Sequence, residues 1–243
     1  MSRDAGIELV VFDLTGTTVY DGEVVKQCLR AALTSAGLKV NAKAVNRVLG
    51  LPKPEAFRIL ISEFDFNKRL TDRADELYTD FATWMRRCFR VDPSVREING
   101  ASKVFHDLKQ AGIKVALNSS FNRELVDILL DRLEWRENGL IDATVASDEV
   151  ERGRPHPDMI HHLMKQLGVR NSKCVVKIGD TPEDLLEGNN AACGLVIGVT
   201  KGSHTREQLR KYPHDALLGT IAELPSNLGL LTNDKVYEEL NVG

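Results

Sequence analysis

Four stretches of this chain carry residue types suited to phosphoryl chemistry. The first, Phe12-Asp13-Leu14-Thr15-Gly16-Thr17-Thr18, puts a carboxylate at the end of an apolar run and follows it with a glycine and hydroxyls. An aspartate can attack phosphorus and split the transfer into two steps through an aspartyl phosphate. Gly16 permits a tight turn whose backbone amides can face an anion. The second, Asn118-Ser119-Ser120, offers a hydroxyl and loop amides to phosphate oxygens. The third, Gly153-Arg154-Pro155-His156-Pro157, holds a guanidinium that can grip a phosphoryl group and shield Asp13 from it. The fourth, Gly179-Asp180-Thr181-Pro182-Glu183-Asp184, has two carboxylates, Asp180 and Asp184, that can hold Mg²⁺ directly or through water. Each has a plainer reading: a loop-capping Asp, a surface Ser turn, a solvated Arg, an N-capped acidic helix start.

What joins the four is their place behind strands. Ile7–Phe12, Ile113–Leu117, Ala143–Ala146, Cys174–Ile178 and Leu195–Val199 are short apolar runs with little polar alternation, as parallel strands covered on both faces require. Helical patterns lie between them. Ser102–Ala111 ends at Gly112, Asn122–Leu133 opens on a plausible N-cap, and Pro157–Leu167 ends at Gly168. Strand and helix alternate, which predicts an α/β fold with a doubly wound parallel sheet. In such a sheet, ligands bind beyond the carboxyl ends of the strands. All four stretches fall there, in order, which makes coincidence a poor account of them.

From about Gly22 to Val95 the alternation stops. Val24–Ala36, Ala42–Leu49, Glu55–Glu63 and Asp72–Phe89 read as helices, and no strand intervenes. The expected organisation is an α/β core of residues 1–20 and 96–243 with a helical domain, 21–95, inserted after strand one. Its hinges fall near Tyr20–Gly22 and Asp92–Gly100. The last dozen residues are expected to be loosely held.

The chain has 243 residues, 42% of them hydrophobic and 28% charged, enough to build a sizeable core under a well-solvated surface. Its net charge is -3 with scattered basic residues, so no nucleic-acid footprint or membrane-surface patch appears. The four cysteines form no CxxC pair and read as thiols in a reducing compartment. The N-terminus lacks a secretory pattern, and no apolar run could span a bilayer. A soluble, cytoplasmic protein is expected. His161 and His162 are neighbours on a helix and point apart, so they make no metal pair.

The order of these motifs resembles the haloacid dehalogenase superfamily of phosphotransferases and hydrolases, over nearly the whole chain. That resemblance implies Asp13 as nucleophile and Mg²⁺ ligand, the Thr15 carbonyl as a second ligand, and Asp180 with Asp184 beside it as the metal-binding acids. It places Thr17, Ser119, Ser120 and Arg154 around the substrate, and the helical segment matches the superfamily's first type of cap. Most phosphatases of the superfamily carry a second Asp two residues after the nucleophile, where this chain has Thr15. Without that acid an alkoxide is poorly assisted in leaving.

Within the superfamily the chain resembles the phosphonatase branch, the phosphonoacetaldehyde hydrolases. That branch also lacks the second acid. It shares the Gly16-Thr17-Thr18 ending and the arginine of Gly153-Arg154-Pro155, and it has a cap lysine in the setting seen here as Gly50-Leu51-Pro52-Lys53. The implied chemistry is coherent: cleaving a C–P bond leaves a carbanion, and an imine between Lys53 and a substrate aldehyde would absorb it as an enamine. Ala56 and Leu49 stand where that branch has His and Met. Pro52 and Pro54 predict an extended loop around Lys53. The alternatives are a specialised phosphomonoesterase on the same Asp13–Mg²⁺ machinery, with Lys53 an ordinary solvated lysine, and a binding protein without turnover. A small phosphonate or phosphate is the expected partner, and the phosphonatase likeness suggests a homodimer.

Overall fold

The structure is a computed structural model that describes residues 6–230. Chain order begins β1 (Leu9–Asp13), β2 (Val19–Tyr20), α1 (Val24–Ser35), α2 (Ala42–Arg47), α3 (Lys53–Phe64), α4 (Ala74–Val91) and β3 (Arg96–Glu97). It continues α5 (Ala101–Gln110), β4 (Lys114–Ser119), α6 (Arg123–Leu133), β5 (Ala143–Ala146), α7 (Asp158–Leu167) and β6 (Val175–Gly179). It closes α8 (Pro182–Asn190), β7 (Leu195–Val199), α9 (Arg206–Leu209), β8 (Ala216–Leu218) and α10 (Leu224–Asn227). Six strands form one parallel sheet in the order β5-β4-β1-β6-β7-β8. The chain winds outward from β1 on one side and then on the other, so the strand order reverses at β1. That reversal opens a crevice at its carboxyl end.

Alternation along β1 shows why the run is apolar throughout. Val10 and Phe12 enter one buried cluster with Phe105 and Leu117, while Leu9 and Val11 enter the other with Met159, Ile160 and Leu163. Both faces are therefore covered, as an all-parallel sheet demands. Asp13 continues the parity of Leu9 and Val11, so its side chain belongs to the face that α7 covers.

The expected strands are all present, with bounds shifted by at most two residues. β8 and the two-residue ribbon β2–β3 escape sequence reading because each is too short to show a period. The ribbon pairs Val19 with Glu97 and Tyr20 with Arg96, tying together the two crossings between the sheet and the helical segment. Within that segment, α4 buries a stripe of Leu77, Phe81, Met85 and Phe89, and packs on α1, α3 and α6. Phe89 meets Phe121 edge-on at 5.4 Å, and Arg132 of α6 donates to the Phe89 and Asp92 carbonyls at the end of α4.

One local expectation is corrected. Residues around Lys53 do not form an extended loop: Pro52 is extended, but Lys53 is the first residue of α3 and Pro54 lies in its first turn. Backbone N–H groups in the first turn have no intrahelical acceptor, so a proline, which lacks that group, is tolerated there. The expectation for the last dozen residues lies outside the described residues. Among the described residues no helix is long and apolar enough to cross a membrane.

Candidate active site

The turn after β1 is built by its own backbone. The Leu14 carbonyl accepts from the amides of Thr17, Thr18 and Val19, and Gly16 lies at φ 93°, open to glycine. A Cβ on Gly16 would collide with the Asp180 carboxylate, so the turn and the β6 loop approach closely. Thr18 Oγ1 donates to the Asp13 carbonyl (2.9 Å), and Thr17 Oγ1 donates to Asp180 Oδ1 (2.9 Å). The Thr17 hydroxyl thus ties the turn to an acid of the site.

Arg154 is buried, and every nitrogen of its guanidinium faces a protein acceptor. Nη1 lies 2.6 Å from Asp13 Oδ1 and 3.0 Å from Asp184 Oδ1, Nε donates to Glu187 Oε2 (3.0 Å), and Nη2 donates to the Asn118 backbone and side-chain oxygens. Among the carboxylates, Asp13 makes the shortest contact with it. Burial raises the Asp13 pKa and the guanidinium opposes that rise.

Asp13, Asp180 and Asp184 bring one oxygen each to within 4.8 Å of one another, all buried. Burial, followed by the charges of Asp13 and Asp184, pushes Asp180 up to about 7. For Asp184 burial acts the same way, but Arg154 and Lys177 outweigh it and hold the carboxyl down at about 2. Asp184 Oδ1 has no well-aligned hydrogen bond although two cations are near. Three hard oxygen donors, one of them under-used, fit a divalent cation. The capping box between Thr181 and Asp184 fixes the first turn of α8.

Lys53 comes to the same crevice from α3. It is 1% exposed, and Nζ donates to the Leu49 carbonyl (2.6 Å), the Leu51 carbonyl (3.2 Å) and Ser120 Oγ (2.8 Å), 4.8 Å from the centre of the Phe121 ring. Burial lowers its pKa to about 7, against the pull of Asp13 and with the push of Arg154. Close contacts hold this geometry: a Cβ on Gly50 would meet Thr181 and Glu183, and one on Gly153 would meet Pro52 Cγ at 2.5 Å. Glu183, pushed up to about 7 chiefly by burial, feels the charge of Lys53. A cavity of about 200 Å³ opens beside these groups, lined among others by Asp13, Thr15, Gly50, Ser120 and Arg154.

Ser119 is buried at the end of β4. Its Oγ accepts from the Phe121 amide (3.2 Å), while Ser120 is the serine that lines the cavity. Two buried charged residues lie outside the four stretches singled out in the sequence, Lys177 and Glu187. A signal for Lys177 was present: it interrupts the run Cys174–Ile178, which must be buried on both faces, and a buried polar group needs partners.

Comparison with known proteins agrees with this geometry. Residues 10–197 match the family model described as haloacid dehalogenase-like hydrolase. Phosphonoacetaldehyde hydrolase from Bacillus cereus is 30% identical over 217 residues, covering 84% of this chain and 81% of that protein. The crystal structure of a phosphonoacetaldehyde hydrolase-like protein from Oleispira antarctica superposes with a TM-score of 0.81 at 22% identity, over 93% of this chain and 92% of that one. A protein described as a predicted phosphoglycolate phosphatase from Haemophilus somnus 129PT gives 0.76 at 18% identity, over 90% and 97%. With the family model spanning most of the chain and the acids converging behind a parallel sheet, this protein belongs to the haloacid dehalogenase-like hydrolases.

Proposed function

We propose that this hydrolase cleaves the C–P bond of a small carbonyl phosphonate of the phosphonoacetaldehyde type. The observation that carries the reading is Lys53: a buried amine with its pKa drawn down to about 7, at the edge of the crevice that holds Asp13. A phosphomonoester needs no such amine. The neutral amine of Lys53 adds to the substrate carbonyl and water leaves, forming an iminium. An Asp13 oxygen attacks phosphorus, the C–P electron pair moves into the C–N system, and an enamine is left on Lys53. One water hydrolyses the aspartyl phosphate. The enamine is protonated on carbon and a second water frees the aldehyde, so the balance is one water consumed per turnover. Ser120, 2.8 Å from the amine, is the hydroxyl in contact with it. No acid is required at Thr15, because the leaving carbanion is absorbed by the iminium.

Asp13, Asp180 and Asp184, with the Thr15 carbonyl, would hold Mg²⁺, which when bound offsets the negative charge of the carboxylates and the phosphoryl group. The helical segment would act as a cap that carries Lys53 to the core. Steady-state assays test the reading: phosphonoacetaldehyde should yield equal amounts of phosphate and acetaldehyde, faster than any common phosphomonoester yields phosphate. Fast ester hydrolysis without phosphonate cleavage would overturn it in favour of a phosphatase.

Two further results are expected. Exhaustive chelation should abolish turnover, and added Mg²⁺ should restore it; full activity of the chelated protein would contradict the site. Thr15→Asp should raise phosphomonoesterase activity by about tenfold or more, since it places an acid beside the leaving oxygen. A loss with every common phosphomonoester would instead assign Thr15 a positive role.

A further inference from the structure

Behind Arg154 lies a second layer of charge. Lys177 of β6 is fully buried, and its ammonium lies 2.7 Å from Asn118 Oδ1, 2.9 Å from Asp184 Oδ1 and 3.2 Å from Glu187 Oε2. Glu187 of α8, also fully buried, accepts from Arg154 Nε, and both its carboxylate oxygens accept from Asn118 Nδ2. The strand register explains the assembly. Asp13 stands opposite Asn118, and Val11 opposite Lys177, so the pleat turns all three polar side chains to the face that α7 and α8 cover. Such a cluster is expensive to bury, and apolar side chains of similar volume would usually serve stability as well or better. Something other than stability therefore accounts for it.

We propose that Lys177 and Glu187 are positioning residues that aim Arg154 at Asp13. Glu187 fixes the guanidinium by its Nε edge, which leaves Nη1 facing the Asp13 carboxylate. Lys177 shares the charge of Asp184, which would otherwise draw Nη1 away from Asp13. The Asn118 amide joins the two cations through its oxygen and Glu187 through its nitrogen, so the layer moves as a unit. Neither residue touches the reacting atoms. The inference rests on Asp13 being the attacking group, and a wild-type control separates the two failures: if wild-type protein cannot be phosphorylated on Asp13, that reading fails, not this one.

The test is the double variant Lys177→Met/Glu187→Met, which replaces the ion pair with apolar groups of similar length. It should stay folded, with a melting point near that of wild type, because the substitution removes opposite charges together. The kcat for phosphoryl release should fall on the order of 10²-fold, as a misaimed catalytic group implies, while KM and the Mg²⁺ affinity measured by calorimetry each change less than about threefold. Glu187→Gln, which keeps an acceptor for Nε, should recover part of that loss. A folded double variant with kcat within twofold of wild type would overturn the proposal. Should the double variant fail to fold, Glu187→Leu decides on the same kcat criterion.

Discussion

Asp13→Asn should abolish turnover of every substrate, with a fall in kcat on the order of 10⁴-fold or more, while the fold stays intact. An amide is a poor nucleophile and carries no charge to offer a cation, so the substitution removes both proposed roles of Asp13 at once. The fold is expected to tolerate it because the site is crowded with like charge. Among the described residues, Arg154 and Lys177 are the cations paired with Asp13, Asp184 and Glu187, Asp180 has neither as an ion-pair partner, and burial with neighbouring carboxylates already raises the Asp13 and Asp180 pKa values. Losing the ion pair with Arg154 destabilises, since a buried charge loses a partner. Relief of repulsion among the acids offsets it, and Arg154 keeps Asp184, Glu187 and Asn118. The check is kcat together with a thermal midpoint, on protein shown by mass spectrometry to be undeamidated. Residual activity above about 1% of wild type would remove Asp13 from the nucleophile's role.

The second large effect concerns Lys53. Lys53→Arg keeps a positive charge but cannot form an imine, so C–P cleavage should fall by at least about 10³-fold while any phosphate-ester side activity survives. The pocket around Nζ is tight, and a guanidinium there will strain the Leu49–Leu51 turn by roughly 1–3 kcal/mol. Lys53→Met, which adds no volume, separates that strain from the lost chemistry and should show the same loss of C–P cleavage. The wild-type pH profile gives an independent check. Burial lowers the Lys53 pKa to about 7. The amine is therefore protonated and inert on the acid side, and kcat/KM for the phosphonate should rise as pH passes through about 7 and then level off. A profile that falls over that interval, or a Lys53→Arg variant cleaving phosphonate at the wild-type rate, would contradict the imine.

Much of this site was legible because the fold places chemistry at strand ends. Asp13, Ser119 and Asp180 each sit at or just past the end of a run of Val, Ile and Leu, and the runs themselves announced a parallel sheet. Asp180 with Asp184 was recognisable because Thr181 and Pro182 mark the start of a helix. Less legible was anything that depends on register. Nothing in the local sequence says that Asp13 lies opposite Asn118 or Val11 opposite Lys177, so the buried layer behind Arg154 appeared only with the sheet assembled. The same holds for Thr17, whose hydroxyl turns to Asp180 across the crevice. At Lys53 the two flanking prolines misled: each disfavours helix in isolation, yet Pro52 precedes the helix and Pro54 falls in its first turn. Strand β8 and the ribbon β2–β3 are held by tertiary pairing, which a few residues cannot signal.

Borohydride trapping would capture the imine on Lys53 itself. The protein is incubated with phosphonoacetaldehyde, reduced with sodium borohydride, digested and read by mass spectrometry. A reduced adduct of the two-carbon aldehyde is expected on the peptide containing Lys53, suppressed below pH 7 and absent from Lys53→Arg. Phosphate release from phosphonoacetaldehyde with no adduct on Lys53, or with the adduct on another lysine, would contradict the imine.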